Sequence, residues 1–173
     1  MGQCNKETIV RFIVAFNVKG KDTEIAPGHS YLDCHLIFGI KMIFTRNDRF
    51  VVNGSTTPIT SASKYSGVVS RETVRIAFKY ASFNELYIMT SDIHNDYLQA
   101  PISEKYWTIL GPEFGTELQV CKAYVVRSLY GTCCAGRDFS QYLRECMKML
   151  GYTSCLADSD LWIRKAVNDN GCE

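Results

Sequence analysis

The chain has 173 residues, a formal net charge of +1, and 21% charged residues of both signs. This length allows one domain with a sizeable core, or two lobes of a larger protein. The near-neutral charge excludes a global field that attracts polyanions, so any nucleic-acid contact must come from local Lys and Arg clusters. The eight cysteines show no paired spacing and include no C-x-x-C motif, which favours reduced thiols in an intracellular protein, cytoplasmic or nuclear.

The first predicted elements are extended. The apolar stretch from Ile9 to Val18 is shorter than the roughly 20 residues of a membrane span. It predicts a buried strand, and no membrane partner is expected. Residues 31–43 and 49–52 are rich in apolar and β-branched side chains, with turn-forming residues from Thr45 to Asp48 between them. This pattern predicts a β-hairpin.

A helix and a strand are predicted next. Ser70 is a suitable N-cap, and apolar residues recur after it at helical spacing, which predicts a helix over about 70–84. The run from Leu86 to Ile93 is apolar and predicts a strand that carries Asp92 at its C-terminal end.

The second half of the chain predicts further strands near residues 106–110 and 123–129 and a short last strand near 160–163. The clearest helical periodicity follows Ala135 and ends at Gly151, a suitable C′ residue. Its apolar stripe, which we expect to face a core, consists of Phe139, Tyr142, Leu143, Cys146, Met147 and Leu150. This irregular succession of helices and strands indicates an α+β fold.

Asp92 is the most suggestive acidic residue, because a carboxylate at a strand end can be held rigidly toward a metal ion. By itself, an aspartate at a strand end is more often a turn or helix cap. The surrounding residues from Ser91 to Pro101 read SDIHNDYLQAP. This string resembles the first palm motif of copia-type retrotransposon reverse transcriptases, in which an aromatic residue and then Leu-x-Ala-Pro follow the aspartate.

Other strings resemble the same family in matching order. Together they cover roughly residues 27–165, and they are Pro27 to His29, Cys34 to Phe38, Val68 to Arg75, Leu110 to Gly115, Ser128 to Gly131 and Leu150 to Tyr152. The resemblance implies a right-hand polymerase fold with fingers and a truncated, partial palm. It implies an N-terminal extension over 1–26, a fingers-like region over 27–85, and a partial palm with interposed helices over 86–173.

The resemblance also implies site residues. Asp92 would be a catalytic ligand of two Mg²⁺ ions, and the backbone carbonyl of Ile93 would complete one coordination shell. Tyr97 would be a steric gate under the sugar of the incoming nucleotide, and Arg49 would neutralise its triphosphate. The alternatives are a core aromatic for Tyr97 and an exposed hairpin arginine for Arg49. The implied partners are an RNA or DNA template-primer, a deoxynucleotide, and the remainder of a polyprotein.

Several residues depart from the family pattern. Asn47 stands where a lysine is usual, Asp96 replaces a small residue beside the gate, and Thr132 to Cys134 replace a Leu-Lys sequence followed by Gln or Ser. The Tyr-x-Asp-Asp motif with the other catalytic carboxylates does not occur, and we expect Asp158 and Asp160 to be turn residues instead. Because one carboxylate cannot hold two divalent cations, this fragment of an RNA-directed DNA polymerase is expected to be inactive alone. The alternative is a non-catalytic nucleic-acid-binding module or an inert remnant.

Overall fold

The computed structural model describes residues 12–40, 46–54, 66–165, 167–168 and 171–172. The described residues have a mixed α+β architecture, as predicted, and divide into two compact units. Unit 1 contains Met1–Lys64 and Asn95–Phe139, and unit 2 contains Tyr65–His94 and Ser140–Glu173. In chain order the elements are β1 (Phe16–Val18), β2 (Ser30–Tyr31), β3 (Cys34–Ile40), β4 (Arg46–Val52), α1 (Arg71–Phe83), α2 (Asp96–Gln99), β5 (Pro101–Ile109), β6 (Lys122–Arg127), α3 (Ala135–Met149), β7 (Thr153–Ser154), β8 (Trp162–Ile163), β9 (Val167–Asn168) and β10 (Gly171–Cys172).

Unit 1 is built on a four-stranded sheet with the order β1-β6-β5-β2. Strand β6 is antiparallel to β1 and β5, whereas β2 is parallel to β5. Side chains alternate between the two faces of a strand, so Ala123 and Val125 of β6 are buried while Tyr124 between them is only partly buried. The inner face therefore contributes to the core, and the outer face meets solvent.

The core of unit 1 joins this sheet to the β3-β4 hairpin. Phe50 of β4 packs against Phe16 of β1 and Phe114, with ring centroids 5.6 Å and 5.3 Å away. Both pairs are close to edge-to-face, the arrangement that aromatic quadrupoles favour. The buried core residues are Phe12, Ala15, Phe16, Leu32, Phe50, Val52, Leu98, Tyr106, Leu110, Phe114, Ala123, Val125, Leu129 and Cys134.

The predicted hairpin is confirmed, but part of its predicted turn is wrong. Strands β3 and β4 pair in register from Cys34 opposite Val52 to Ile40 opposite Arg46. Residues 46–48, expected to form the turn, are the first residues of β4, because pairing with β3 overrides their turn preference. Residues 41–45 lie outside the described part of the chain.

Unit 2 contains α1, most of α3 and the short β7-β8 hairpin. Helix α1 begins as predicted, since the Ser70 side chain accepts a hydrogen bond from the backbone N–H of Thr73 (3.0 Å). Among the described residues of this unit, only Ala81 is buried. Large apolar side chains are instead exposed, and they include Val68, Ile76, Phe83, Tyr87, Met89, Met149 and Leu156.

Two predicted strands are corrected by the structure. The described part of the 9–18 stretch forms a strand only over β1, because Phe12 and Ile13 are helical. The strand predicted over Leu86 to Ile93 is wrong: these residues form no described strand, and all are exposed. The backbone N–H and C=O groups of a strand form hydrogen bonds with a neighbouring strand. Without such a neighbour, these groups bond to water instead.

The other predicted elements are found with adjusted bounds. Strands β5, β6 and β8 lie where strands were expected. Helix α3 ends before Gly151, which has a φ of +81° and so takes the left-handed conformation that glycine tolerates. The predicted core stripe of α3 is wrong in part, because its first five residues are only partly buried and Leu150 is exposed. Among the described residues, no helix is both long and apolar enough to cross a bilayer.

Candidate nucleotide site

The Tyr130-Gly131 turn fixes the β3-β4 hairpin within unit 1. The backbone N–H of Val52 donates a hydrogen bond to the carbonyl of Tyr130 (2.7 Å). Gly131 has a φ of +93°, and a Cβ at this position would lie 2.3 Å from the carbonyl oxygen of Val52. Only glycine satisfies both the conformation and the close approach. The turn therefore determines where the side chains of β4 lie relative to Tyr130.

The hydroxyl of Tyr130 is tied to Asp96. It donates a hydrogen bond to Asp96 Oδ1 (2.5 Å), and the backbone N–H of Tyr97 donates to the same oxygen (2.8 Å). Burial and the hydrogen bond to Asp96 raise the pKa of Tyr130, and the positive charge of Arg49 partly opposes this rise. The phenol thus stays protonated and keeps donating. The extra carboxylate seen in the sequence serves as an acceptor that orients Tyr130.

The predicted gate residue Tyr97 lies on α2 and is partly buried. Its ring centroid is 4.7 Å from that of Tyr130 and 6.0 Å from that of Phe139. These contacts fix the ring on two sides, as either a gate or a core aromatic requires. The gate role remains a prediction.

Arg49 is exposed on β4, directly opposite Ile37 of β3. Arg49 lies two residues before Val51, which forms a β-bridge with Tyr130, and its positive charge partly opposes the rise in the pKa of Tyr130. Tyr97 packs on Tyr130, so both predicted nucleotide-binding residues lie in this part of unit 1. A guanidinium and an aromatic ring are the groups that bind a phosphate and a neighbouring sugar or base. Binding of a nucleotide there remains a prediction.

Asp92 and Ile93 lie in unit 2, in the segment without regular structure, and both are exposed. The expectation that a strand end holds the Asp92 carboxylate rigidly is thus wrong. Among the described residues, no three His, Cys, Asp or Glu side chains form a group that could hold a metal ion. The described residues therefore do not fit a two-Mg²⁺ centre by themselves, although Asp92 and the Ile93 carbonyl remain candidate ligands.

Asp158 and Asp160 are turn residues, as expected. Asp158 accepts hydrogen bonds from the backbone N–H of Ser70 (2.9 Å) and the hydroxyl of Thr73 (2.7 Å), which join the β7-β8 turn to the start of α1. These donors lower the pKa of Asp158. Asp160 pairs with Arg144 of α3 (2.5 Å). Both carboxylates are therefore occupied by protein donors.

Asp138 is an important residue that the sequence does not reveal. It lies in the first turn of α3 and is buried. Its Oδ2 accepts hydrogen bonds from the backbone N–H of Ser103 (2.9 Å) and the hydroxyl of Ser128 (3.4 Å), and its Oδ1 pairs with Arg137 (3.1 Å). These contacts fasten the start of α3 to β5 and to the turn before Tyr130. The sequence shows only an acidic residue near the start of a helix. Nothing in the sequence indicates that the Asp138 side chain is buried.

Thr132 and Cys134 are buried in unit 1, whereas Cys133 between them is partly buried. The Thr132 hydroxyl donates to the carbonyl of Leu129 (2.8 Å), and burial raises the pKa of the Cys134 thiol to about 11. Neither group is available to a ligand.

Comparison of the chain with protein-family models, curated proteins and solved structures found no match.

Proposed function

We propose that the chain is a fingers and partial-palm fragment of a copia-type retrotransposon reverse transcriptase, an RNA-directed DNA polymerase, and that it does not polymerise alone. The ordered strings over residues 27–165, above all SDIHNDYLQAP from Ser91 to Pro101, carry this proposal. In the complete enzyme the partners are a template-primer, deoxynucleotides and the rest of a polyprotein, in the cytoplasm or nucleus.

The arrangement around Tyr130 supports a nucleotide site. Arg49 provides an exposed planar cation suited to a triphosphate. The Tyr97 ring, held against Tyr130 at 4.7 Å, provides an aromatic surface for a sugar. The Asp96 carboxylate already accepts hydrogen bonds from Tyr130 and from the backbone N–H of Tyr97. It can keep both hydrogen bonds while a nucleotide binds.

The surroundings of Asp92 support the absence of polymerase activity. An exposed carboxylate outside regular structure is not pre-organised, and pre-organised ligands are what metal-assisted transfer requires. In the family, two metal ions about 4 Å apart stabilise the attacking and leaving oxygens, and several carboxylates are needed to hold both ions. The described residues contain no such group.

The exposure of unit 2 supports the view that more chain belongs with it. Among its described residues, only Ala81 is buried, while the large apolar side chains of Phe83, Tyr87 and Leu156 are exposed. A unit with so little core gains little from the hydrophobic effect. A complete palm would supply the missing apolar partner surface.

A titration with Mg·dUTP tests the nucleotide site. We expect Arg49→Gln to weaken binding by about 10-fold, because one charge-assisted phosphate contact is lost. The matched control is Arg71→Gln, which removes an exposed arginine from α1 in unit 2. Equal affinities of the two variants, or no binding by the unchanged chain, would refute the site.

Primer extension tests the catalytic part of the proposal. The chain is expected to give no template-dependent product with Mg²⁺ and all four deoxynucleotides. Synthesis that is abolished by Asp92→Asn would show that the exposed carboxylate is sufficient and would contradict the proposed inactivity.

A further inference from the structure

The outer face of the unit 1 sheet has a row of aromatic side chains. Asn17, Tyr124, Trp107 and Tyr31 are direct cross-strand partners across β1, β6, β5 and β2. Trp107 and Tyr31 are in contact, with ring centroids 5.0 Å apart. Because cross-strand partners point to the same face, three aromatic rings lie in line on one surface.

The two ends of this row differ. At the β6 end, His29 packs against Tyr124 with centroids 4.6 Å apart and ring planes tilted by 47°, and the Tyr124 hydroxyl accepts a hydrogen bond from the Ala26 N–H (3.0 Å). At the β2 end, Tyr31 is 45% exposed. The protein thus covers Tyr124 itself, whereas Tyr31 is exposed and Trp107 is partly exposed.

Two cations and one carboxylate lie near this row. Lys19 lies 5.9 Å from the centre of the Tyr124 ring, and Lys105 is exposed two residues before Trp107 on β5. Glu104 lies near Arg137, 3.9 Å away, at the start of α3. The carboxylate is Asp33: burial and its negative charge raise the pKa of Tyr31, and Asp33 accepts a hydrogen bond from Asn53 (3.4 Å).

We propose that this aromatic row binds single-stranded nucleic acid, with unpaired bases stacked on Trp107 and Tyr31 and phosphates near Lys19 and Lys105. Every base has a π-face, so stacking on aromatic side chains tolerates any sequence, and flanking cations follow the backbone. Four-stranded sheets with aromatic residues on an open face bind two or three bases in this way in other folds. The charge complementarity favours a polyanion over an apolar protein partner.

This surface is separate from Arg49 and Tyr97, and the inference does not rest on the polymerase ancestry of the chain. A chain that fails to bind dUTP can still bind an oligonucleotide through the row. The reverse is equally possible, so the two proposals fail independently.

The test uses fluorescein-labelled oligo(U) and oligo(dT) of about 12 nucleotides, a length within the usual range of such sites. Fluorescence anisotropy with the full chain is expected to show binding of both strands. Trp107→Leu and Tyr31→Ser should each weaken binding by about 10-fold, from the loss of one stacked base. Tyr87→Ser is the matched control, because it removes a fully exposed tyrosine from unit 2.

Two further measurements keep the test decisive if a ring variant fails to fold. Lys19→Gln, at a partly buried position, and Lys105→Gln, at an exposed one, should each lower the slope of log affinity against log salt by about 0.7. With Trp162→Phe, Trp107 becomes the only tryptophan, and its fluorescence should be quenched by either oligonucleotide. Absence of quenching, equal affinity for a duplex, or the same affinity in the ring variants as in Tyr87→Ser would overturn the proposal.

Discussion

Replacement of Asp138 by alanine should destabilise unit 1 strongly. The side chain is 3% exposed and accepts hydrogen bonds from Ser103 and from Ser128, which is fully buried. Its loss leaves the Ser128 hydroxyl without this acceptor and removes the ion pair of Arg137. Arg137 is 22% exposed and has Glu104 within 3.9 Å, which reduces the cost. Together these losses amount to roughly 2–4 kcal/mol.

Urea unfolding of the Trp162→Phe chain measures this loss, because Trp107 then reports on unit 1 alone. The control is Glu145→Ala, which removes an exposed carboxylate from the same helix and should change the free energy of unfolding by less than about 0.5 kcal/mol. If Asp138→Ala and Glu145→Ala unfold at the same urea concentration, the Asp138 contacts do not stabilise the unit and the reasoning fails.

Two further changes test the turn and cap contacts. Gly131→Ala should lower the free energy of unfolding by at least about 2 kcal/mol, because a Cβ would lie 2.3 Å from the Val52 carbonyl oxygen. Gly115→Ala should cost only about 1 kcal/mol, since Gly115 has a similar φ with open space around it, and equal urea midpoints would contradict this account. The lowered pKa of Asp158 means that its contribution is present above its unfolded-state pKa and is lost as pH falls through the folded-state value. Asp158→Asn should therefore lower the melting temperature at about pH 7, and the difference from the unchanged chain should disappear as pH falls below the folded-state pKa of Asp158. A pH-independent difference would count against it.

Elements with local signals were predictable from the sequence. Ser70 marks the start of α1, and Gly151 marks the end of α3. Both signals act through contacts within a few residues of the helix end. Apolar runs also located β5 and β6. Such features depend on neighbours along the chain, which the sequence displays directly.

Features that depend on distant partners were not predictable in the same way. The apolar run before Asp92 resembles a strand, but strand formation needs a neighbour, and the described residues provide none there. The apolar stripe of α3 predicted its helix correctly, whereas the buried residues of that helix are Ala135 and Asp138 at its start. A periodic pattern shows which side of a helix is apolar, but not how much protein covers it.

The candidate site was predictable in part. The sequence indicates Arg49 and Tyr97. In the structure Tyr97 packs on Tyr130 and Arg49 lies two residues before Val51, which bridges to Tyr130, while their nucleotide-binding roles remain predictions. The hydrogen bond from Tyr130 to Asp96 could not be predicted from the sequence, because it joins two residues that are 34 positions apart. Long-range pairs of this kind leave no local pattern.

The most direct measurement of the proposed nucleotide site compares the affinities of Mg·dUTP and Mg·UTP, which differ only in the 2′-hydroxyl. If Tyr97 lies under the sugar, the unchanged chain should favour dUTP by about 10-fold, and Tyr97→Val should reduce this preference to near unity while retaining dUTP binding. Equal affinities of the unchanged chain for the two nucleotides, or a preference that survives Tyr97→Val, would contradict the account.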